Sequence, residues 1–117
     1  MLDREIELIH LVASSPTNQL AAFPEYVEVA DEIAIEVGEV ADQATAESEV
    51  SILREIDALF SVWSGPDHLE VWTIEALATH EVWRHARELA RAWLAANGIT
   101  PRAPRLFWLT FVGPPGA

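Results

Sequence analysis

The 117-residue chain carries 19 acidic side chains against 7 arginines and no lysine, which gives a formal net charge of −12. A chain of this length forms one domain, since single domains typically run to about 100–150 residues. The negative charge argues against a nucleic-acid partner, because phosphate backbones are bound by clusters of basic side chains. The absence of cysteine excludes disulfides, thiolate chemistry and cysteine-bound metals.

The N-terminal sequence favours a cytoplasmic protein with no membrane partner. Charged residues at positions 3–7 stand where a signal peptide needs an apolar run. The chain also contains no run of about 18 uncharged apolar residues, the length that a transmembrane helix requires. We therefore expect a cytoplasmic protein that is a monomer or a homodimer.

Negative charge is concentrated in the first two thirds of the chain. Residues 1–75 carry 17 acidic residues and 2 arginines, whereas residues 76–117 carry 2 acidic residues and 5 arginines. Residues 24–49 alone hold nine carboxylates and no basic residue. The composition of this segment raises the question of whether its charge has a role beyond solubility.

The spacing of apolar residues predicts a mainly α protein, a compact bundle of four to five helices with an apolar C-terminal arm. Residues 1–98 form the single helical domain and residues 99–117 form the arm. Ile6, Ile9 and Val12 lie at helical intervals in the first helix, which the turn-forming sequence "SSPTN" should end.

The acidic segment predicts a second helix from Pro24 onward, with one apolar and one acidic face. A proline suits the first turn of a helix, where its missing N–H has no partner in any case. The apolar face contains Val29, Ala30, Ile33, Val37, Val40 and Ala41. A β-strand is the alternative, because several of these residues are β-branched. One face is acidic in either structure.

Three further segments predict helices. Residues 49–65 are amphipathic, and Gly65 followed by Pro66 should end that helix. Thr73 can cap a short helix, and Thr79 can cap the strongest helical pattern, which extends to Gly98. The tryptophans at positions 63, 83 and 93 fall on apolar stripes, which predicts that they pack in the core.

The C-terminal arm contains the apolar sequence "RLFWLTFVG" between proline-rich segments. The run is too short to span a membrane, and it is compatible with a short strand or an extended docked segment. The final residues, "GPPGA", are expected to be disordered.

No motif predicts catalysis, a metal site or a cofactor site. His80 and His85 are five residues apart, whereas the two histidines of the zinc motif H-E-x-x-H are four apart. Glu7 and His10 form half of a di-iron motif whose other half is missing. The chain contains neither a nucleophile elbow nor a glycine-rich phosphate loop. We therefore expect a protein that is not an enzyme and binds no cofactor.

A basic protein is the expected partner of the acidic face. Ile35 falls on this face, and an apolar side chain ringed by carboxylates is typical of a binding hot spot inside a polar rim. The predicted partner-binding residues are Glu28, Asp31, Glu32, Ile35, Glu36, Glu39 and Asp42. Two alternatives remain: a face that serves only solubility, and a structural or adaptor subunit that oligomerises through its apolar arm.

Three segments, "ELIHLVASSPTNQ", "FPEYVEVADEIA" and "WTIEAL", resemble parts of small acidic bacterial immunity proteins. The resemblance spans about residues 1–98 and does not include the arm. It implies a non-enzymatic protein that neutralises a secreted toxin by covering it, and it assigns no contact residues. An acidic helix suits that role, because it mimics the phosphates that the basic cleft of a nuclease toxin holds.

Overall fold

A computed structural model describes residues 3–25, 27–43 and 51–109. These ranges form six α-helices and one 3₁₀-helix and contain no strand, which confirms the predicted mainly α fold. The 3₁₀-helix spans Pro66–Trp72. The α-helices are α1 (Asp3–Ala13), α2 (Pro16–Ala21), α3 (Val29–Asp42), α4 (Ser51–Val62), α5 (Ile74–Thr79) and α6 (Glu81–Ala96). The number of helices exceeds the predicted four to five because short helices form in segments that were predicted as connections.

The short helix α2 forms within the cluster that was predicted only to end α1. The Ser15 hydroxyl accepts a hydrogen bond from the backbone N–H of Asn18 at 3.3 Å, and Pro16 occupies the first turn. A serine cap followed by proline is a favourable helix start. The same few residues therefore end one helix and begin the next.

Helix α6 begins one residue later than predicted, because His80 caps it and Thr79 does not. The Nδ1 atom of His80 accepts a hydrogen bond from the backbone N–H of Val82 at 3.1 Å. The Thr79 hydroxyl instead donates to the carbonyl of Glu75 at 2.8 Å, within α5. At the other end, Gly98 has a φ of +69°, a conformation that glycine adopts without steric cost.

The core lies where α1 and α4 pack against α6 and α3 packs against α4. Trp83 of α6 is 1% exposed, and its indole N–H donates to the carbonyl of Val71 at 2.8 Å. Its ring lies 4.8 Å from that of Phe60, measured between centroids. Trp63 and Trp93 are only partly buried, so the predicted core position holds fully for Trp83 alone among the three.

Two arginines of α6 hold the C-terminal end of α1. Arg91 donates through Nε to the carbonyl of Ala13 at 2.8 Å, and Arg87 donates through Nε to the carbonyl of Ser14 at 3.0 Å. Arg87 also donates to the carbonyl of Leu77 at 2.9 Å, near the end of α5. The last carbonyls of a helix lack intrahelical partners and favour positive charge, so these arginines stabilise the helix ends.

The C-terminal arm, described over residues 99–109, is anchored on α1 by Glu7. Both terminal guanidinium nitrogens of Arg102 donate to the Glu7 carboxylate, which also accepts the backbone N–H of Arg105 at 2.7 Å. The backbone N–H of Arg102 donates to Nδ1 of His10 at 3.3 Å. Residues 99–109 contain no strand. Residues 110–117, which include the predicted disordered end, lie outside the described residues.

The two α1 residues that the arm contacts both have lowered pKa values. Hydrogen bonds from Arg102 hold the pKa of Glu7 below its ordinary value. Burial, followed by the charge of Arg102, lowers the pKa of His10. Glu7 and His10, which form half of a di-iron motif in the sequence, therefore serve as the attachment point of the arm.

Candidate partner-binding surface

Helix α3 presents a row of carboxylates to the solvent, as the helical reading of the sequence predicts. The helix begins at Val29, later than expected, because the residues from Pro24 form a turn in which the Val27 N–H donates to the Pro24 carbonyl. We define the acidic surface by the members that are exposed or half-buried: Glu28, Asp31, Glu32, Glu39 and Asp42. The acidic residues at positions 47 and 49 lie outside the described residues.

The charges of the acidic surface are not compensated within the described part of the chain. The salt bridge there joins Arg102 to Glu7, and His68 lies 4.0 Å from the carboxylate of Glu70; neither contact involves α3. Glu28 and Glu32 are four residues apart, a spacing at which like charges repel on a helix. Burial and the nearby Glu36 and Glu39 raise the pKa of Glu32. A cationic partner would relieve this repulsion.

Glu36 differs from the prediction, because the arm covers it. Its side chain is only 7% exposed, and it accepts a hydrogen bond from the indole N–H of Trp108 at 3.0 Å. The helical pattern placed Glu36 on the partner-facing side, but it carried no information on where the arm would lie. Glu36 is therefore not part of the accessible surface.

Ile35 is 51% exposed, and the described part of the arm, residues 99–109, leaves it accessible. It lies at the edge of a groove of about 320 Å³ between α3, α4 and the 3₁₀-helix. The groove is lined by Asp31, Ala34, Ile35, Asp57, Phe60, Ser61, Ser64 and Trp72. Other large apolar side chains, such as Leu69 and Phe107, are exposed outside this groove. Ile35 therefore lies where the acidic surface meets the apolar groove.

The hydrogen-bond donors among the side chains of the groove are already used. The Ser61 hydroxyl donates to the carbonyl of Asp57 at 2.9 Å, and the Ser64 hydroxyl donates to the carbonyl of Ser61 at 2.9 Å. The Trp72 indole N–H donates to the carbonyl of Trp63 at 3.2 Å. The lone pairs of the two hydroxyls and the carboxylates remain as acceptors.

Asp57 is the charged residue of the groove that lies outside the predicted set of partner-binding residues. It is half-buried, and burial together with the charge of Asp42 raises its pKa. Its Oδ1 atom lies so close to α3 that a Cβ placed on Gly38 would be 3.2 Å away. The sequence does indicate that Asp57 is partly buried, because it stands four residues after Leu53 and three before Phe60, both in the apolar stripe of α4.

Comparison with known protein families, curated proteins and solved structures gives no match.

Two other classes of site were considered on the described residues. Residues 3–25, 27–43 and 51–109 contain no group of three or more histidines or carboxylates arranged to hold a metal ion. Within the same ranges, no helix has both the length and the apolar content needed to cross a membrane.

Proposed function

We propose that this protein is a non-enzymatic binding protein that neutralises a basic toxin domain by covering it, in the manner of an immunity protein. The observation that carries the proposal is the exposed Ile35, which adjoins an apolar groove and is flanked by carboxylates that form no salt bridge with any described residue. A purely solubilising face needs charge, but it has no use for an apolar anchor at its centre.

The two parts of the surface would act on different steps of binding. Exposed carboxylates attract a basic protein over a long range and raise the rate of encounter, an effect that salt screens. The apolar contact around Ile35 excludes water once the complex has formed, and it therefore governs the rate of dissociation. A basic nuclease cleft is a suitable target, because its catalytic work requires it to hold negatively charged phosphates.

The alternative of oligomerisation through the C-terminal arm has less support. Polar groups of Arg102, Arg105 and Trp108 bind Glu7 and Glu36 of the same chain. An arm exchanged between two copies would have to break these bonds before it formed them again.

Reversal of charge at Glu28 and Glu39 tests the steering role of the acidic surface. We expect the double variant Glu28→Lys/Glu39→Lys to associate about tenfold more slowly with its basic toxin partner at low salt. Its association rate should also depend less on NaCl concentration, because fewer charges take part in steering. Stopped-flow measurements across a salt series would show both effects.

The matched control is Asp67→Lys/Glu75→Lys, which makes the same change of charge at exposed residues outside α3. Equal slowing by both double variants would indicate a general effect of net charge. An unchanged rate and salt dependence in the α3 variant would mean that the surface serves only solubility.

Ile35→Ala should have a different effect, because it removes apolar contact without changing charge. We expect a faster dissociation rate, by about tenfold, and an unchanged salt dependence of association. Leu69→Ala is the control, since Leu69 is 68% exposed and does not line the groove.

A further inference from the structure

We infer that the groove between α3 and α4 receives one arginine side chain of the basic partner, with Asp57 as the carboxylate that pairs with it. The inference rests on the proposed function and deepens it, because it names the side chain that the partner inserts beside Ile35. It makes Asp57 a specificity-determining residue of a surface that otherwise attracts any cation.

The hydrogen-bonding character of the groove selects a ligand that only donates. The hydroxyls of Ser61 and Ser64 and the indole N–H of Trp72 already donate hydrogen bonds to backbone carbonyls. Asp31 and Asp57 add carboxylates, which only accept when ionised. A phosphate, a carboxylate or a free backbone carbonyl would find no side-chain donor there. Arginine and lysine are the protein side chains that carry several donors and no acceptor.

The walls of the groove favour arginine over lysine. Ala34, Ile35 and the half-buried ring of Trp72 offer apolar surface to an aliphatic stem. Behind them, the buried ring of Phe60 meets that of Trp72 edge to face with centroids 5.9 Å apart. A guanidinium group is planar and weakly hydrated, and it packs against aromatic rings while its edge donates to a carboxylate. An ammonium group is compact and strongly hydrated, so it loses more on entering such a groove.

Asp57 is held in an environment that disfavours its charge. It is half-buried on α4, it approaches Gly38 of α3 closely, and the ion pairs among the described residues do not include it. Burial and Asp42 raise its pKa. An incoming guanidinium lowers the pKa of Asp57 again, since a paired cation favours the ionised carboxylate.

Titration with single blocked amino acids tests the inference on the full chain. Acetyl-arginine-amide and acetyl-lysine-amide would be added separately to isotope-labelled protein, and backbone amide and indole N–H shifts would be followed by NMR. We expect saturable shifts at Ile35, Ser61 and Trp72, with arginine binding at least about fivefold more tightly than lysine. Equal affinity of the two ligands, or shifts along α3 without any in the groove, would overturn the inference.

Variants identify the carboxylate. Asp57→Asn should weaken the binding of acetyl-arginine-amide by at least about tenfold, whereas Glu55→Gln, an exposed carboxylate of the same helix, should leave it within about twofold. Asp31→Asn, at an exposed position of the groove wall, should weaken binding by about threefold and serves as a second variant if Asp57→Asn unfolds. Undiminished binding by a folded Asp57→Asn variant, or by Asp31→Asn where Asp57→Asn unfolds, would refute the inference.

The outcomes separate the two proposals. If Glu28→Lys/Glu39→Lys slows the toxin while Asp57→Asn leaves the binding of acetyl-arginine-amide intact, the proposed function stands and the arginine groove falls. If arginine binds in the groove with the expected dependence on Asp57 while the α3 charge reversals have no effect on the toxin, the groove stands and the toxin-neutralising function falls.

Discussion

Trp83 combines the largest fully buried side chain with a hydrogen bond that few substitutions can replace. We expect Trp83→Ala to lower the free energy of unfolding by about 3–5 kcal/mol, because it leaves a cavity and an unpaired carbonyl at Val71. Trp93→Ala should cost less than half of that, since Trp93 is only partly buried. Urea denaturation would measure both values, and a loss below about 1 kcal/mol at Trp83 would contradict its position in the core.

At the scale of single residues, the sequence predicts the apolar positions better than the polar ones. Helical spacing identifies Trp83 because burial of an apolar stripe follows from the period of the helix. The buried carboxylates of Glu7 and Glu36 follow no period. Their partners, Arg102 and Trp108, are 95 and 72 residues away in the chain, so no local pattern joins them.

Among the structural elements, the C-terminal arm is the one whose attachment should depend on pH. The pKa of His10 lies below its ordinary value of 6.5, and that of Glu7 lies below its ordinary value of 4.5. Both groups are therefore deprotonated more readily with the arm attached than in the unfolded chain, so acidification favours the unfolded chain. The contribution of His10 is complete above pH 6.5 and is lost as pH falls through its lowered pKa; that of Glu7 is lost below pH 4.5 in the same way.

Hydrogen exchange at the backbone N–H of Arg105 would follow the attachment of the arm. We expect protection to fall in two steps on acidification, the first below pH 6.5 and the second below pH 4.5, after correction for intrinsic exchange. Glu7→Gln should reduce protection already at neutral pH, whereas Glu25→Gln, an exposed control, should not. Protection that stays constant from pH 7 to pH 4 would contradict the proposed role of His10 and Glu7.

Element boundaries are predictable from the sequence where a single residue type has no substitute. Gly65 and Gly98 have φ values of +106° and +69°, which side-chain-bearing residues rarely adopt, so the ends near them follow from the sequence. The start of α6 could not be predicted from the sequence, because Thr79 and His80 can both accept a capping hydrogen bond. The position of Thr79 within α5 decided between them. Helix α2 has six residues, too few to show a period.

For the molecule as a whole, self-repulsion of the acidic side chains opposes folding. The net charge is −12, and among the described residues the carboxylate in a salt bridge with an arginine is that of Glu7, with Arg102. We expect the free energy of unfolding to rise by roughly 1 kcal/mol between about 20 and 200 mM NaCl, because salt screens repulsion at the length scale of the surface. Urea denaturation at each salt concentration would measure the change.

Glu28→Lys/Glu39→Lys should show a smaller gain of stability with salt, because it removes part of the repulsion at its source. A free energy of unfolding that falls as NaCl rises would show instead that attractive pairs dominate. The distribution of charge can be read from the sequence, which predicted an acidic face on α3 but not that the arm covers Glu36. The groove could not be predicted from the sequence, since it exists only where α3, α4 and the 3₁₀-helix come together.

The capping of α1 by α6 has a consequence for the order in which the chain assembles during translation. The carbonyls of Ala13 and Ser14 receive side chains that are synthesised 78 and 73 residues later, at Arg91 and Arg87. Helices α3 and α4 are neighbours in sequence and pack extensively, so they can associate while α6 is still inside the ribosome. Helix α1 leaves the ribosome before α3, α4 and α6, and it would therefore be among the last of these helices to dock.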